Sequence, residues 1–598
     1  MISISQAAYY QNRIIALEED YKRLKNQSRR YSLVRFCSFI CFAGSLFLLF
    51  KTEYIVLPLF ISIVSLSFFI LFVVKFNRLE DAIILLASKI QINKDELLYL
   101  DYNYSERNAG ERYATINTSL STDFDLFGKG SIFQYINRCN TQKGCATLAQ
   151  SLCFPDKSPE VIQNKQVAIA ELCDNNDFIQ DFQSIAKSIK GNGTESILQN
   201  WMNEAQKDFS TIRITAFVLG LINVVCLLLS AFSVLPWGVL GLLLTVSLIY
   251  VAVHDKKILK THSQLISIAS NIESYVAAFH LIEKTPFESE HLLSLKKSLI
   301  QNDSTASKIL SSLHTILSVF ELKENKLLSL TLNAFFLLDL HVFYSFSRWK
   351  LKHNSNTTTW FTAFNEMETL ISFATFAFNN EAVVYPTVSD EGFSVQALDM
   401  GHPLIHPTVR VNNSFSISGM PSVLIITGAN MAGKSTFLRT VGVNLLLAMN
   451  GAPVVAKSFS FTPCDIFPCL KIQDSLINNE SYFYAELLRL KEIIEHTKKQ
   501  PKTLVILDEI LRGTNTKDKQ TGSLGFIEKL IQLNVPVIVA THDLMIGELE
   551  QKYKGVAINQ CFEVELVNDH LYFDYKLKKG ISQKLNASFL LRKMEIID

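Results

Sequence analysis

The chain has 598 residues, a net charge of +1, 48% apolar residues and only 19% charged ones, so it is too long for one hydrophobic core and greasier than an ordinary soluble protein. One domain per roughly 150 residues gives three or four units, and the near-neutral charge excludes a global electrostatic drive toward nucleic acid, though not a local basic groove. None of the ten cysteines forms a Cys-x-x-Cys pair, which excludes a zinc ribbon or a redox dithiol and reads them all as reduced, structural thiols.

Residues 1–80 read as an amphipathic helix, Tyr9 to Leu24, followed by a hairpin of two apolar runs at about 33–50 and 54–74. Each run has the roughly twenty residues needed to cross a hydrocarbon core. The basic stretch Lys22 to Arg35 beside the first run suits anionic lipid headgroups better than DNA. Residues 81–117 read as a linker, and 118–395 as a mostly helical region. Within it, Ile214 to Val253 has no Asp, Glu, Lys or Arg over forty positions and turns at Pro236, Trp237 and Gly238. It is expected to form a second hairpin, with spans at about 214–232 and 235–253. Basic residues at the bases of both hairpins, among them Arg30, Lys75, Arg213 and Lys256, place both bases in the cytoplasm by the positive-inside rule. A third apolar run, Leu327 to Phe346, carries Asp339 and His341. A single crossing there would put the remaining 250 or so residues on the other face of the membrane, so it is expected to be a buried core helix.

Residues 396–598 carry the chemistry. TGANMAGKST, Thr427 to Thr436, satisfies G-x-x-x-x-G-K-[ST] at Gly428, Gly433, Lys434 and Ser435. In that pattern backbone N–H groups wrap phosphates, the lysine reaches the β and γ groups and the hydroxyl holds Mg²⁺. Ser422 to Thr427 reads as a buried strand and Ser435 to Met449 as an apolar helix, the context such a loop requires. Gly428, Ala429, Asn430, Met431, Ala432, Gly433, Lys434, Ser435 and Thr436 are therefore the candidate nucleotide-binding residues, with ATP and Mg²⁺ as cofactors. Roughly 74 positions after Lys434, the apolar run LVILDE ends in two acids. Asp508 joins Ser435 as a candidate Mg²⁺ ligand, and Glu509 is placed to take a proton from the attacking water. A further strand, VPVIVATHD, ends at His542, a second candidate catalytic residue that would sense or polarise the γ-phosphate from the carboxyl end of a parallel strand, where open α/β sheets bind ligands.

GANMAGKSTFLR, NNESYFYAELLRLKEI, LVILDEILRGTNT and ATHD, in this order and spacing, resemble the ATPase domain of the DNA mismatch-repair MutS family. The likeness extends upstream through MGHPLI and, more faintly, DFDLFGKGSIFQYINRCNTQKGCATLAQSL. It implies an α/β P-loop ATPase domain joined to a helical MutS-type core and lever region, here with two transmembrane hairpins. It further implies a homodimer in which Ser481 contacts the partner's γ-phosphate in trans, with Glu486 nearby and Thr514 to Thr516 in a loop facing the dimer contact. Ala432 and Leu511 stand where the family has glycine. The first is expected to be silent and the second to alter the dimer contact. The mismatch-reading domain with its Phe-x-Glu wedge is not found before Thr118, where the first hairpin lies.

The expected protein is a multi-pass membrane ATPase with its ATPase domain in the cytoplasm, in a bacterial inner membrane, switching helical arms as it turns over ATP. Its expected partners are a second copy, membrane lipids and DNA, the last without mismatch specificity. A transporter-type ATPase would need an LSGGQ-like signature and more spans, and an inert membrane scaffold would not need intact Lys434, Asp508 and Glu509.

Overall fold

A computed structural model describes residues 5–52, 55–191, 193–203, 210–266, 268–301, 303–321, 326–353, 357–429, 431–471, 482–512, 515–567 and 570–582. It opens with two long helices, α1 (Gln6–Lys51) and α2 (Val56–Leu100). The amphipathic stretch and the first apolar run are one continuous helix. The linker expected at 81–117 is helical as far as Leu100, because Ile83, Ile92, Asn93 and Glu96 recur at helical spacing and are buried on one face. The two helices are stapled by Ser45 to Ser62 (2.7 Å) and by Ser28 to Glu80 (2.5 Å).

Helices α3 (Gln142–Cys153) and α4 (Pro159–Asp174) begin the helical core. After two further helices, Asn176–Ser188 and Thr194–Asn203, the second hairpin follows as α5 (Ser210–Ala231) and α6 (Trp237–Ile266). Among the described residues four helices, those of the two hairpins, are each long and apolar enough to cross a membrane, and at most 17% of each apolar window is buried. Phe36, Phe60, Phe217 and Leu242 are among the exposed side chains, an arrangement costly in water at about 25 cal/mol per Å² of apolar surface.

After α7 (Ala306–Glu321) the structure corrects one expectation. Leu327 to Phe346 is not a single buried core helix but two, α8 (Lys326–Phe336) and α9 (Leu338–His353), meeting at 82°. Leu337 at the break has φ 47°, and the Asn333 side chain accepts from the Asp339 N–H (3.0 Å), capping the second helix. Leu327, Leu330 and Phe336 are exposed, and α8 packs on α5 and α6 rather than into the core.

The core is organised by α10 (Thr357–Asn379), most of whose residues are buried. It packs on α3 and α4 and meets α2 at a buried ionic node. Glu96 of α2 accepts from Arg138 through both oxygens (2.7 and 2.8 Å), from Arg107 (3.0 Å) and from Asn379 of α10 (2.7 Å). Burial pushes the Glu96 carboxyl up, but the two guanidiniums outweigh it and hold it below the usual range. Further along α10, Glu368 accepts from the backbone N–H groups of Asn140 (2.7 Å) and Thr141 (3.2 Å), beside the start of α3.

The carboxy-terminal domain has two sheets. Strands β1 (Thr387–Val388), β2 (Ser394–Met400) and β3 (Asn413–Ser418) join β5 (Ser458–Phe461) in a four-stranded sheet ordered β1-β5-β2-β3. The larger sheet contains β4 (Ser422–Gly428), β6 (Asp465–Cys469), β7 (Thr503–Asp508), β8 (Pro536–Thr541), β9 (Ala557–Val567) and β10 (His570–Lys579), ordered β10-β9-β4-β8-β7-β6. All of its pairings are parallel except β9 with β10. Strands β4, β7 and β8 are buried at every position, as their unbroken apolar runs require in a sheet covered on both faces. Helices α11 (Lys434–Met449), α12 (Tyr482–Lys499) and α13 (Thr516–Gln532) complete the domain. Phe124 lies against α11 so closely that a Cβ on Gly442 would come within 2.2 Å of its ring.

The buried Glu96 and Glu368 can each be tested by substitution. Glu96→Gln leaves two buried guanidiniums without their counter-charge and is expected to lower stability by about 3–5 kcal/mol; an unchanged thermal transition would contradict the node. Burial raises the Glu368 carboxyl to about 7. A raised folded-state pKa gives stability that is present below the ordinary carboxyl range and lost as pH climbs through 7. The stability of wild type relative to Glu368→Gln should therefore fall between pH 5 and pH 8, and a difference independent of pH would refute the shift.

Candidate nucleotide site

Register in the parallel sheet builds the site. Thr541 pairs with Thr427, and Ala540 with both Ile426 and Asp508, so Gly428, Asp508 and His542 emerge at one edge although they are far apart in sequence. A cavity of about 590 Å³ lies there, within the size range of nucleotide-scale pockets. Ala429, Met431, Gly433, Lys434, Ser435 and Thr436 form its floor, and Glu509 and Arg512 one wall. Ile405, Val409 and Phe437 supply an apolar side suited to a nucleobase.

The loop geometry explains its glycines. A Cβ on Gly428 would come within 2.7 Å of the Phe562 carbonyl oxygen, and Gly433, at φ 106°, opens α11 in a region that L side chains avoid. Ala432 is buried and Met431 exposed at φ 67°. The Lys434 ammonium donates to the carbonyls of Gly428 (2.8 Å) and Ala429 (3.0 Å) and stands 3.5 Å from Glu509. Burial lowers its pKa, against the pull of the two carboxylates.

Ser435 donates to Asp508 Oδ2 at 2.5 Å, while the buried Asp508 Oδ1 has no hydrogen-bond partner among the described residues. Burial raises the Asp508 carboxyl. An unpartnered buried carboxylate oxygen beside a serine hydroxyl is an all-oxygen donor set that fits Mg²⁺. Glu509 behaves oppositely. Burial pushes its carboxyl up, but Lys434, Arg512 and His542 together hold it below the usual range and therefore ionised. Arg512 Nη2 lies 3.4 Å from one Glu509 oxygen, and His542 Nδ1 lies 3.4 Å from the other. His542 is half-exposed, and Lys519 Nζ stands 3.3 Å from its Nε2, which favours the tautomer with the proton on Nδ1.

Backbone strain concentrates here. Glu509 and Leu511 have φ 49° and 60°, each costing about 1–3 kcal/mol unless the surroundings enforce it. Glu486 of α12, fully buried, accepts from the Leu511 N–H and, at 3.4 Å, from the Arg512 N–H. It is a positioning residue for the wall of the cavity.

The structure thus brings together Gly428, Ala429, Met431, Ala432, Gly433, Lys434, Ser435, Thr436, Asp508, Glu509 and His542. Asn430, Ser481 and Thr514 lie outside the described residues. Sequence reasoning missed Arg512 and Lys519, whose proximity to Glu509 and His542 arises only on folding. It also missed Tyr575, which lines the cavity from β10. The spacing of Arg512 three residues after Glu509 was its one available signal.

Residues 424–592 match the family model of MutS domain V. The chain is 33% identical over 226 residues to the DNA mismatch repair protein MutS of Clostridium kluyveri, covering 36% of this chain and 25% of that protein. It is 35% identical over 194 residues to the DNA mismatch repair protein MutS of Aquifex pyrophilus (32% and 22%). It is 32% identical over 182 residues to MutS protein homolog 4 of Mus musculus (29% and 19%). The chain thus spans a quarter or less of the length of these relatives.

Gly428→Ala drives a methyl group into the Phe562 carbonyl and is expected to displace the loop at a cost of about 1–3 kcal/mol. A fluorescent ATP analogue titrated onto that variant should bind at least tenfold more weakly; unaltered binding would refute the cradle. Over residues 424–592 the chain carries a domain similar to domain V of the MutS family.

Proposed function

We propose that the protein is a membrane-anchored MutS-type ATPase that binds ATP with Mg²⁺ and uses its hydrolysis to switch its helical arms. The observation that carries the reading is the meeting of Lys434, Ser435, Asp508 and Glu509 at one sheet edge, with Ser435 on Asp508 and Glu509 held ionised. Backbone N–H groups of 428–436 would hold the phosphates, and Lys434 would exchange its loop carbonyls for phosphate oxygens. Ser435 and Asp508 would hold Mg²⁺, which supplies charge stabilisation at the phosphates when bound. Glu509, ionised at neutral pH, takes the proton of the attacking water, and Arg512 and His542 fix the orientation of its carboxylate.

Four apolar helices with little buried surface support the membrane reading. Basic residues flank the bases of both hairpins, which favours a cytoplasmic ATPase domain. The proposed units are a membrane hairpin in 1–80, a helical core in 118–395 that includes the second hairpin, and the ATPase domain in 396–598. In family terms a second copy completes each site, with Ser481 reaching across. The names of the relatives support DNA as the partner of the arms.

The test is ATP turnover by the full chain in detergent or nanodiscs, with homoduplex, mismatched and branched DNA over a salt series. Glu509→Gln should lower turnover by at least about 10²-fold while ATP stays bound. Turnover that survives the substitution would contradict the assignment, and binding indifferent to salt for every DNA would remove DNA as partner.

A further inference from the structure

A cavity of about 390 Å³ lies apart from the nucleotide site, at the foot of the second hairpin between α5, α7 and α9. Its α9 wall is a single helical face: His341, Tyr344, Arg348, Trp349 and Lys352 succeed one another at intervals of one, three or four residues. Arg213 of α5 faces them, its guanidinium 4.6 Å from the centre of the Tyr344 ring. No Asp or Glu lines the cavity, and no carboxylate among the described residues pairs with Arg213, Arg348 or Lys352. The floor is rigid, since the Trp349 indole donates to the Ile309 carbonyl (3.1 Å) and the Ser312 hydroxyl (2.9 Å). Three cations without a carboxylate partner among the described residues therefore stand around a fixed aromatic floor.

The neighbouring surface indicates where an anion for them would come from. Immediately after Arg213, Ile214 and Phe217 are 64% and 63% exposed, so the cavity opens where the apolar face of α5 begins. Farther along α5, the buried Asn223 donates to the Ala334 carbonyl (3.0 Å), to the Phe335 carbonyl (3.4 Å) and to Ser247 of α6 (2.8 Å). It thereby satisfies carbonyls freed at the bend between α8 and α9, as a helix break in an apolar medium requires. Ten residues separate Arg213 from Asn223, roughly 15 Å of helix, so the bend sits about half-way into a hydrocarbon layer of about 30 Å. Helix α9 climbs from there to the surface with its basic face turned to Arg213.

We propose that this cavity is a binding site for the phosphate headgroup of an anionic phospholipid, with the bent pair α8–α9 dipping into the cytoplasmic leaflet beside it. Arg213, Arg348 and Lys352 bind the phosphate, and Tyr344 and Trp349 sit at headgroup level. The proposal rests on the membrane reading of the second hairpin.

The test uses the full chain in neutral detergent, titrated with phosphatidylglycerol and, separately, with phosphatidylcholine, glycerol phosphate and a short DNA duplex. Phosphatidylglycerol should bind in preference to phosphatidylcholine. The triple variant R213Q/R348Q/K352Q should weaken its binding at least tenfold. R213K/R348K, which keeps the charge, should retain it. An unchanged titration in the triple variant overturns the site. So does a preference for glycerol phosphate or DNA over the lipid, which would reassign the cavity to a free phosphate or to nucleic acid. Alkaline carbonate washing of membranes tests the underlying reading separately: a chain released by carbonate removes the membrane reading and this site with it, whereas a retained chain with an unaffected triple variant overturns the site alone.

Discussion

The buried carboxylate of Glu96 is the constraint on which the arrangement depends. It lies on the helix that leaves the first hairpin, and its partners Arg138, Arg107 and Asn379 belong to the loop before α3, the start of the core and the end of α10. A charge removed from water is tolerated only where good geometry satisfies every lone pair. The node therefore fixes one register between the first hairpin and the core. Tyr10 of α1 reinforces it by donating to Asn379 at 2.8 Å.

From that node a packed path leads to the nucleotide site. Helix α10 holds the start of α3 through Glu368. Upstream of α3, the segment at Asp123 to Phe124 grips the helix at the end of the phosphate loop. Arg439 of α11 donates to the Asp123 carbonyl (3.2 Å), the Lys471 N–H donates to the Asp123 side chain (2.7 Å), and Phe124 packs on Gly442. A shift of α11 is transmitted to this segment because close-packed interiors do not yield locally. At the other end of the site, the strained turn at Glu509 and Leu511 is enforced by the single carboxylate of Glu486.

The features legible in the sequence were local. The phosphate loop, its strand and helix, the acids ending β7 and the hairpins depend on spacings within a few turns of chain, and each stands where its pattern puts it. Asp508, Glu509 and His542 were legible because parallel strands carry their carboxyl ends to one edge. The partners of Glu96 were not legible, since one acid among many gives no sign of which guanidinium it will meet. Glu486 was named only through the resemblance, as a neighbour of the trans contact; its bond to the Leu511 backbone leaves no trace in the identity of that residue. The run at 327–346 misled because uniform apolar composition conceals a bend, and no Gly or Pro marks it. Asn333, capping α9 from within the preceding helix, was the one cue. The position of Leu511 shows the reverse case: the glycine that the resemblance implies there would suit the left-handed φ that this chain imposes on leucine.

The central claim is that both hairpins cross a membrane while the nucleotide site stays on the ATP-bearing side. Single cysteines placed at Thr52, at Ser233 and at the exposed Gln500 of the carboxy-terminal domain test it directly, in a chain whose exposed Cys37 and Cys41 are replaced by alanine. Intact cells are treated with a membrane-impermeant maleimide. The account predicts that Thr52→Cys and Ser233→Cys are labelled at once and Gln500→Cys only after permeabilisation. Hairpin tips labelled only after permeabilisation, like Gln500→Cys, would contradict it.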